Sequence, residues 1–235
     1  MDPPTKDPTL LGITVRRSLV LGRMFLLAGL IYAVVFSLVL GLTAGPGFDE
    51  AFPLLLPVFA VIASMGALMV FSSDRIKGVL EYLLAYGFSS RRLFVNVLLA
   101  GFVLAVILVG VSTAVGLGVR FGSGQGVSAV FVELLLAYGL PMTFASVGFA
   151  VTVGMYWTSL SSPRSGINSP VGLAPIVGIA PPLVTLVLVG FLAATTSLPF
   201  ELVAGPAVVV VALVVLVLLA QVDRLLPLER LLSPT

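Results

Sequence analysis

The side chains able to do chemistry in this chain are few, and their spacing excludes most catalysis. No cysteine and no histidine occurs among its 235 residues, which removes disulfides, thiolate nucleophiles, the usual zinc ligand set and any imidazole base. An intramembrane serine protease needs a histidine beside its serine, and a zinc-dependent one needs a HExxH helix. Asp2, Asp7, Asp49, Asp74 and Asp223 all lie in or beside segments that read as loops, so no aspartate pair sits at membrane depth. There is no GxxxxGK[ST] phosphate loop for nucleotide hydrolysis. Glu133 is the one acid inside an apolar run. It reads either as a proton or cation site or as an interfacial carboxylate, since at 1.5 Å per residue it stands only about 10 Å beyond Gly126.

What charge remains is concentrated. Ser72 to Leu93, SSDRIKGVLEYLLAYGFSSRRL, carries Asp74, Arg75, Lys77, Glu81, Arg91 and Arg92 in a chain that is 9% charged. Soluble domains carry roughly 25%. With 59% hydrophobic residues and a mean hydropathy of +1.22, the chain belongs in a bilayer. Its net charge of +2 orients a membrane protein more readily than it binds nucleic acid.

A spanning helix needs about 20 apolar residues. The uncharged runs predict six spans, at about 24–44, 51–72, 93–118, 127–159, 171–197 and 202–222, in an all-α polytopic fold that forms a single transmembrane domain over 1–235. Pro175, Pro181 and Pro182 kink the fifth. With both termini cytoplasmic, Lys6, Arg16, Arg17, Arg23, Arg75, Lys77, Arg91, Arg92, Arg164, Arg224 and Arg230 fall inside and Arg120 outside, as the positive-inside rule requires. The predicted location is the cytoplasmic membrane. Arg16 and Arg17 precede an apolar run, but five further spans make this a retained helix and not an export signal. Residues 9–23 read equally as a helix along the cytoplasmic face, with Leu11, Val15 and Leu19 as its apolar stripe, or as an extension of the first span.

The charged segment is then the cytoplasmic connection between the second and third spans. Ile76, Val79, Leu80, Leu83 and Leu84 fall at i, i+3, i+4, i+7 and i+8, and Lys77, Glu81 and Ala85 follow another face, which predicts an amphipathic helix over about 74–87. Asp74 and the Arg91–Arg92 pair are expected to complement its dipole, and Gly87, Ser89 and Ser90 supply a stop and turn. Its apolar face needs a cover, either the headgroup region or a protein partner.

The order of residues here resembles the corresponding segment of type 2 ABC transporter permeases, roughly ExxxGxLExLLxxPxSRxxL. The matching residues are Asp74, Gly78, Leu80 with Glu81, Leu83 with Leu84, and Ser90 with Arg91. Asp74 replaces the usual Glu, Gly87 stands in place of the proline, and the Ser-Arg pair comes one residue late. Leu228 to Leu232, LERLL, is similar to the tail after the last helix of such permeases. The resemblance implies that 74–87 is a coupling helix, laid by each of two permease subunits into a groove of a separate ABC ATPase subunit that binds ATP and Mg. Ile76, Val79, Leu80 and Leu83 would anchor it, Arg75, Lys77 and Glu81 would make polar contacts, and Arg91 with Arg92 would fix it at the membrane surface. It also implies a substrate path along the first, second and fifth helices, where Tyr32, Ser37, Ser64, Met65, Met69 and Thr185 are the candidates. Two other readings stay open: a six-helix secondary transporter or channel, and the substrate-binding membrane subunit of an energy-coupling-factor importer.

Overall fold

The structure, a computed structural model, describes residues 10–43, 47–160, 177–185, 187–188 and 200–222, and every regular element among them is helical. The helices are α1 (Leu10–Leu21), α2 (Arg23–Thr43), α3 (Gly47–Ile76), α4 (Val79–Ala85), α5 (Ser90–Gly122), α6 (Ala129–Leu134), a π turn (Leu135–Gly139), α7 (Leu140–Leu160), α8 (residues 177–185) and α9 (Phe200–Ala220). Four helical stretches are long and apolar enough to cross a membrane: Arg23–Thr43, Gly47–Ile76, Ser90–Gly122 and Ala129–Tyr156. They match the first four predicted spans. The fifth is described only at 177–185 and 187–188, where it is helical, and the sixth coincides with α9. Both termini, the LERLL tail and the loop containing Arg164 lie outside the described residues.

α3 is the axis of the bundle. It packs against α1, α2, α4, α5, α6 and α7, and Phe48, Phe52, Leu56, Ala60, Met65 and Leu68 along it are buried in the core. At 30 residues it is about 45 Å long, longer than a hydrocarbon thickness of about 30 Å. Pro57 has no N–H to give the carbonyl of Pro53, and the π turn packs there: a Cβ on Gly139 would stand 3.0 Å from that carbonyl oxygen. The π turn itself precedes Pro141, whose ring is incompatible with ordinary α geometry against the preceding turn.

Close approach of backbones does much of the packing, because lipid supplies no hydrophobic drive between helices. Gly29, Ala33, Ser37 and Gly41 form the buried stripe of α2. The tightest crossing is at Gly22, the turn residue between α1 and α2, where an added Cβ would lie 2.2 Å from the Cα of Gly66 in α3. This break makes 10–21 a separate helix. Its buried side is Thr14 and Ser18, each bonded to its own helix's carbonyls, and the expected stripe is only partly packed: Val15 is half-buried against the core, Leu11 is half-buried and Leu19 is exposed.

Gly22→Ala is therefore expected to destabilise the bundle by about 1–3 kcal/mol through overpacking. Gly110→Ala, where a Cβ meets nothing within 4 Å, should be neutral or slightly stabilising in the same thermal-unfolding measurement in detergent.

Candidate partner-docking site

The predicted helix over 74–87 is in fact the end of one helix, a turn and a second helix. α3 continues through Asp74, Arg75 and Ile76, Lys77 and Gly78 make the turn, and α4 begins at Val79. Gly78 has φ +70°, a conformation nearly free for glycine and costly for other residues. Periodicity missed this because a two-residue turn, Lys77 and Gly78, preserves the apparent apolar spacing across it. At the far end the N–H of Gly87 bonds the carbonyl of Leu84 at 3.0 Å and that of Phe88 bonds the carbonyl of Leu83 at 3.1 Å. With Gly87 at φ +85°, this is a Schellman stop, completed by Leu83 and Phe88, which both pack on the core. Ser89 then caps α5, its hydroxyl accepting from the N–H of Arg92 at 3.3 Å.

The apolar face of α4 is covered from within. Leu80 is buried in the main core, and Leu83 and Leu84 pack against it. Val79 is half-buried and lines, with Leu80 and Leu83, a small cavity between α1, α3, α4 and α5. Ile76 departs from the expected face: it is 62% exposed. Four of the five residues expected to need an external cover are thus seated on the bundle itself.

The outward face carries different residues. Ile76, Lys77, Glu81, Tyr82, Ala85 and Tyr86 are exposed, and the rings of Tyr82 and Tyr86 stand 5.4 Å apart. This pair was missed by the sequence reading. Its signal was present as two aromatics at i, i+4 on the side opposite Leu80. Arg75 and Ser90 are half-buried, whereas Arg91 and Arg92 are exposed and belong to the first turn of α5, where they oppose that helix's dipole instead of serving α4.

Beneath α4, Asp74 receives both Nη atoms of Arg17 from α1, one at 2.8 Å. The Asp74 side chain is 8% exposed and that of Arg17 34%. α1 is thereby fastened to the point where α3 turns into α4.

The expected pathway residues are scattered. Ser37 bonds the carbonyl of Ala33 at 2.6 Å and Ser64 that of Val61 at 2.8 Å, so both hydroxyls are occupied within their own helices. Met65 is fully buried in the core and Met69 half-buried. Tyr32 is on the outer side of α2, 54% exposed. Thr185 bonds the carbonyl of Pro181 at 2.8 Å and lines an apolar groove of about 640 Å³ with residues of α7, α8 and α9, which none of the other five reaches. Glu133 is exposed near the start of the fourth span. Among the described residues no group of three or more acids can hold a metal.

Comparison of the chain with protein-family models, with curated proteins and with solved structures returned no match.

Arg17→Ala leaves a buried carboxylate without its cation and is expected to cost about 1–3 kcal/mol, between the limits for exposed and buried pairs. Removing both charges with Arg17→Ala and Asp74→Ala should cost less than the sum of the single changes, a coupling read from a double-mutant cycle of thermal unfolding.

Proposed function

We propose that this chain is the membrane permease subunit of an ABC exporter, moving its substrate by alternating access driven by ATP hydrolysis in a separate nucleotide-binding subunit. Two copies, or this chain and a second permease, pair to form the pathway. Each copy has six spans with both termini cytoplasmic, so that α4 faces the cytoplasm and meets the ATPase. ATP and Mg belong to that partner.

The observation that carries this reading is the build of α4. It is a short helix stopped at both ends by glycines with positive φ, seated on the bundle by Leu80, and presenting an aromatic pair and three neighbouring residues of mixed character, Ile76, Lys77 and Glu81, away from it. Exposed tyrosines on a rigid element are typical anchors of protein interfaces. Docking by this outer face revises the expected roles: Leu80 and Leu83 hold α4 to its own subunit, and Tyr82, Tyr86 and Ile76 take the place of anchors. When the ATPase dimer closes, α4 moves as a body and biases the bundle between two states.

Co-purification with a co-expressed candidate ABC ATPase subunit tests the reading. Tyr82→Ala with Tyr86→Ala is expected to weaken association tenfold or more, in line with about 2 kcal/mol for an interface anchor, and Glu81→Arg should weaken it as well. Both variants should unfold at the wild-type temperature, since these side chains are exposed. Undiminished association and transport in both would refute docking through this face.

A further inference from the structure

We propose that the concavity between α1 and the α3–α4 turn binds the phosphate of an anionic phospholipid. Arg16, Arg17, Val20, Leu21 and Lys77 line it, and it encloses about 290 Å³. Three cations therefore converge on one hollow. Arg17 is held by Asp74 through both Nη atoms, which offsets its charge and fixes its guanidinium. Among the described residues Arg16 and Lys77 have no ion-pair or side-chain hydrogen-bond partner, and both are exposed. Two uncompensated like charges facing one small space repel each other. A phosphate between them turns that repulsion into two charge-assisted contacts, with the guanidinium and the ammonium donating and the phosphate oxygens accepting.

The rest of the wall identifies the source of that phosphate. Val20 is 63% and Leu21 38% exposed, and Met24, one turn further along the chain, is 71% exposed. A free phosphate would leave these side chains uncovered. A phospholipid covers them with its acyl chains while its headgroup meets Arg16 and Lys77, the arrangement expected of basic pockets at a membrane surface. The hollow lies at the end of the bundle that carries α4, so the bound lipid bridges α1 to the turn from which α4 starts. This assignment requires only that the chain spans a bilayer and is independent of the ATPase partner.

Native mass spectrometry of the purified full chain, titrated separately with phosphatidylglycerol and phosphatidylcholine, tests it. Phosphatidylglycerol should be preferred by about thirtyfold, the scale expected for two cations near an anionic headgroup. Arg16→Gln with Lys77→Gln should abolish the preference, whereas Arg91→Gln with Arg92→Gln, which removes the same charge from the neighbouring helix start, should preserve it. Excess inorganic phosphate should not displace the lipid. The proposal is overturned by the absence of a preference, by equal loss in the two double variants, which would mark general surface charge, or by displacement with phosphate, which would mark a free-anion site.

Discussion

The central helix keeps its neighbours in register by the way it carries its charges. α3 has one buried aspartate near each end, Asp49 and Asp74, about 38 Å apart along the axis. That separation exceeds the hydrocarbon thickness of about 30 Å, so an upright α3 cannot hold both carboxylates among lipid tails, and each is met by an arginine from another helix. Asp74 takes Arg17 from α1. Asp49 faces Arg120 from the end of α5, 3.8 Å away, and accepts the N–H of Ser128 at 3.0 Å. Arg120 also donates to the carbonyl of Gly126 at 3.0 Å and lies 5.2 Å from the ring centre of Phe48. A charge buried without its partner costs several kcal/mol. The two pairs therefore fix the axial register of α1, α3 and α5 far more sharply than aliphatic contacts, which tolerate sliding.

Once register is fixed, small residues can meet at defined points. Gly22 reaches Gly66 only if α1 and α3 stand at one height, and the same holds for Gly101 of α5 against Val151 of α7, where a Cβ would stand 3.0 Å from a valine methyl. Six of the buried hydroxyls follow the logic of a medium without water, whereas those of Thr113, Ser146 and Thr152 have no hydrogen-bond partner among the described residues. Thr14, Ser18, Ser37, Ser64, Ser112 and Thr143 each bond a carbonyl three or four residues back in their own helix. These six are satisfied within their own helices.

The sequence made the helices legible because hydropathy depends on composition over a long window. The first four expected spans differ from the observed helices mainly at their ends, where α3 and α5 run on into charged residues. The ion pairs were illegible for the opposite reason. Arg17 and Asp74 are 57 residues apart, and Asp49 and Arg120 were read as belonging to separate external loops. No local pattern encodes such a meeting. The charged segment after α3 falls between these cases: its amphipathic period was real, but a left-handed glycine within it redirects the chain without disturbing the spacing, and the apolar face proved to be an internal seam.

That seam gives α4 its mechanical character. A helix of 7 residues is unstable alone, since nucleation dominates at this length, and α4 persists because Leu80 is buried and both its ends are fixed by backbone geometry. Only a two-residue turn separates it from α3, and the glycine stop and Ser89 cap lead directly into α5. Arg17 adds α1 to the same junction. Packed elements joined this closely shift together more readily than they deform, because the interior between them is dense. In the proposed transporter, a push on the tyrosines of α4 is thus delivered to α1, α3 and α5 at once. α2 packs on α3 and α5 and belongs to the same group, whereas α9, which packs on α7 and the π turn, is left as the element against which that group can move.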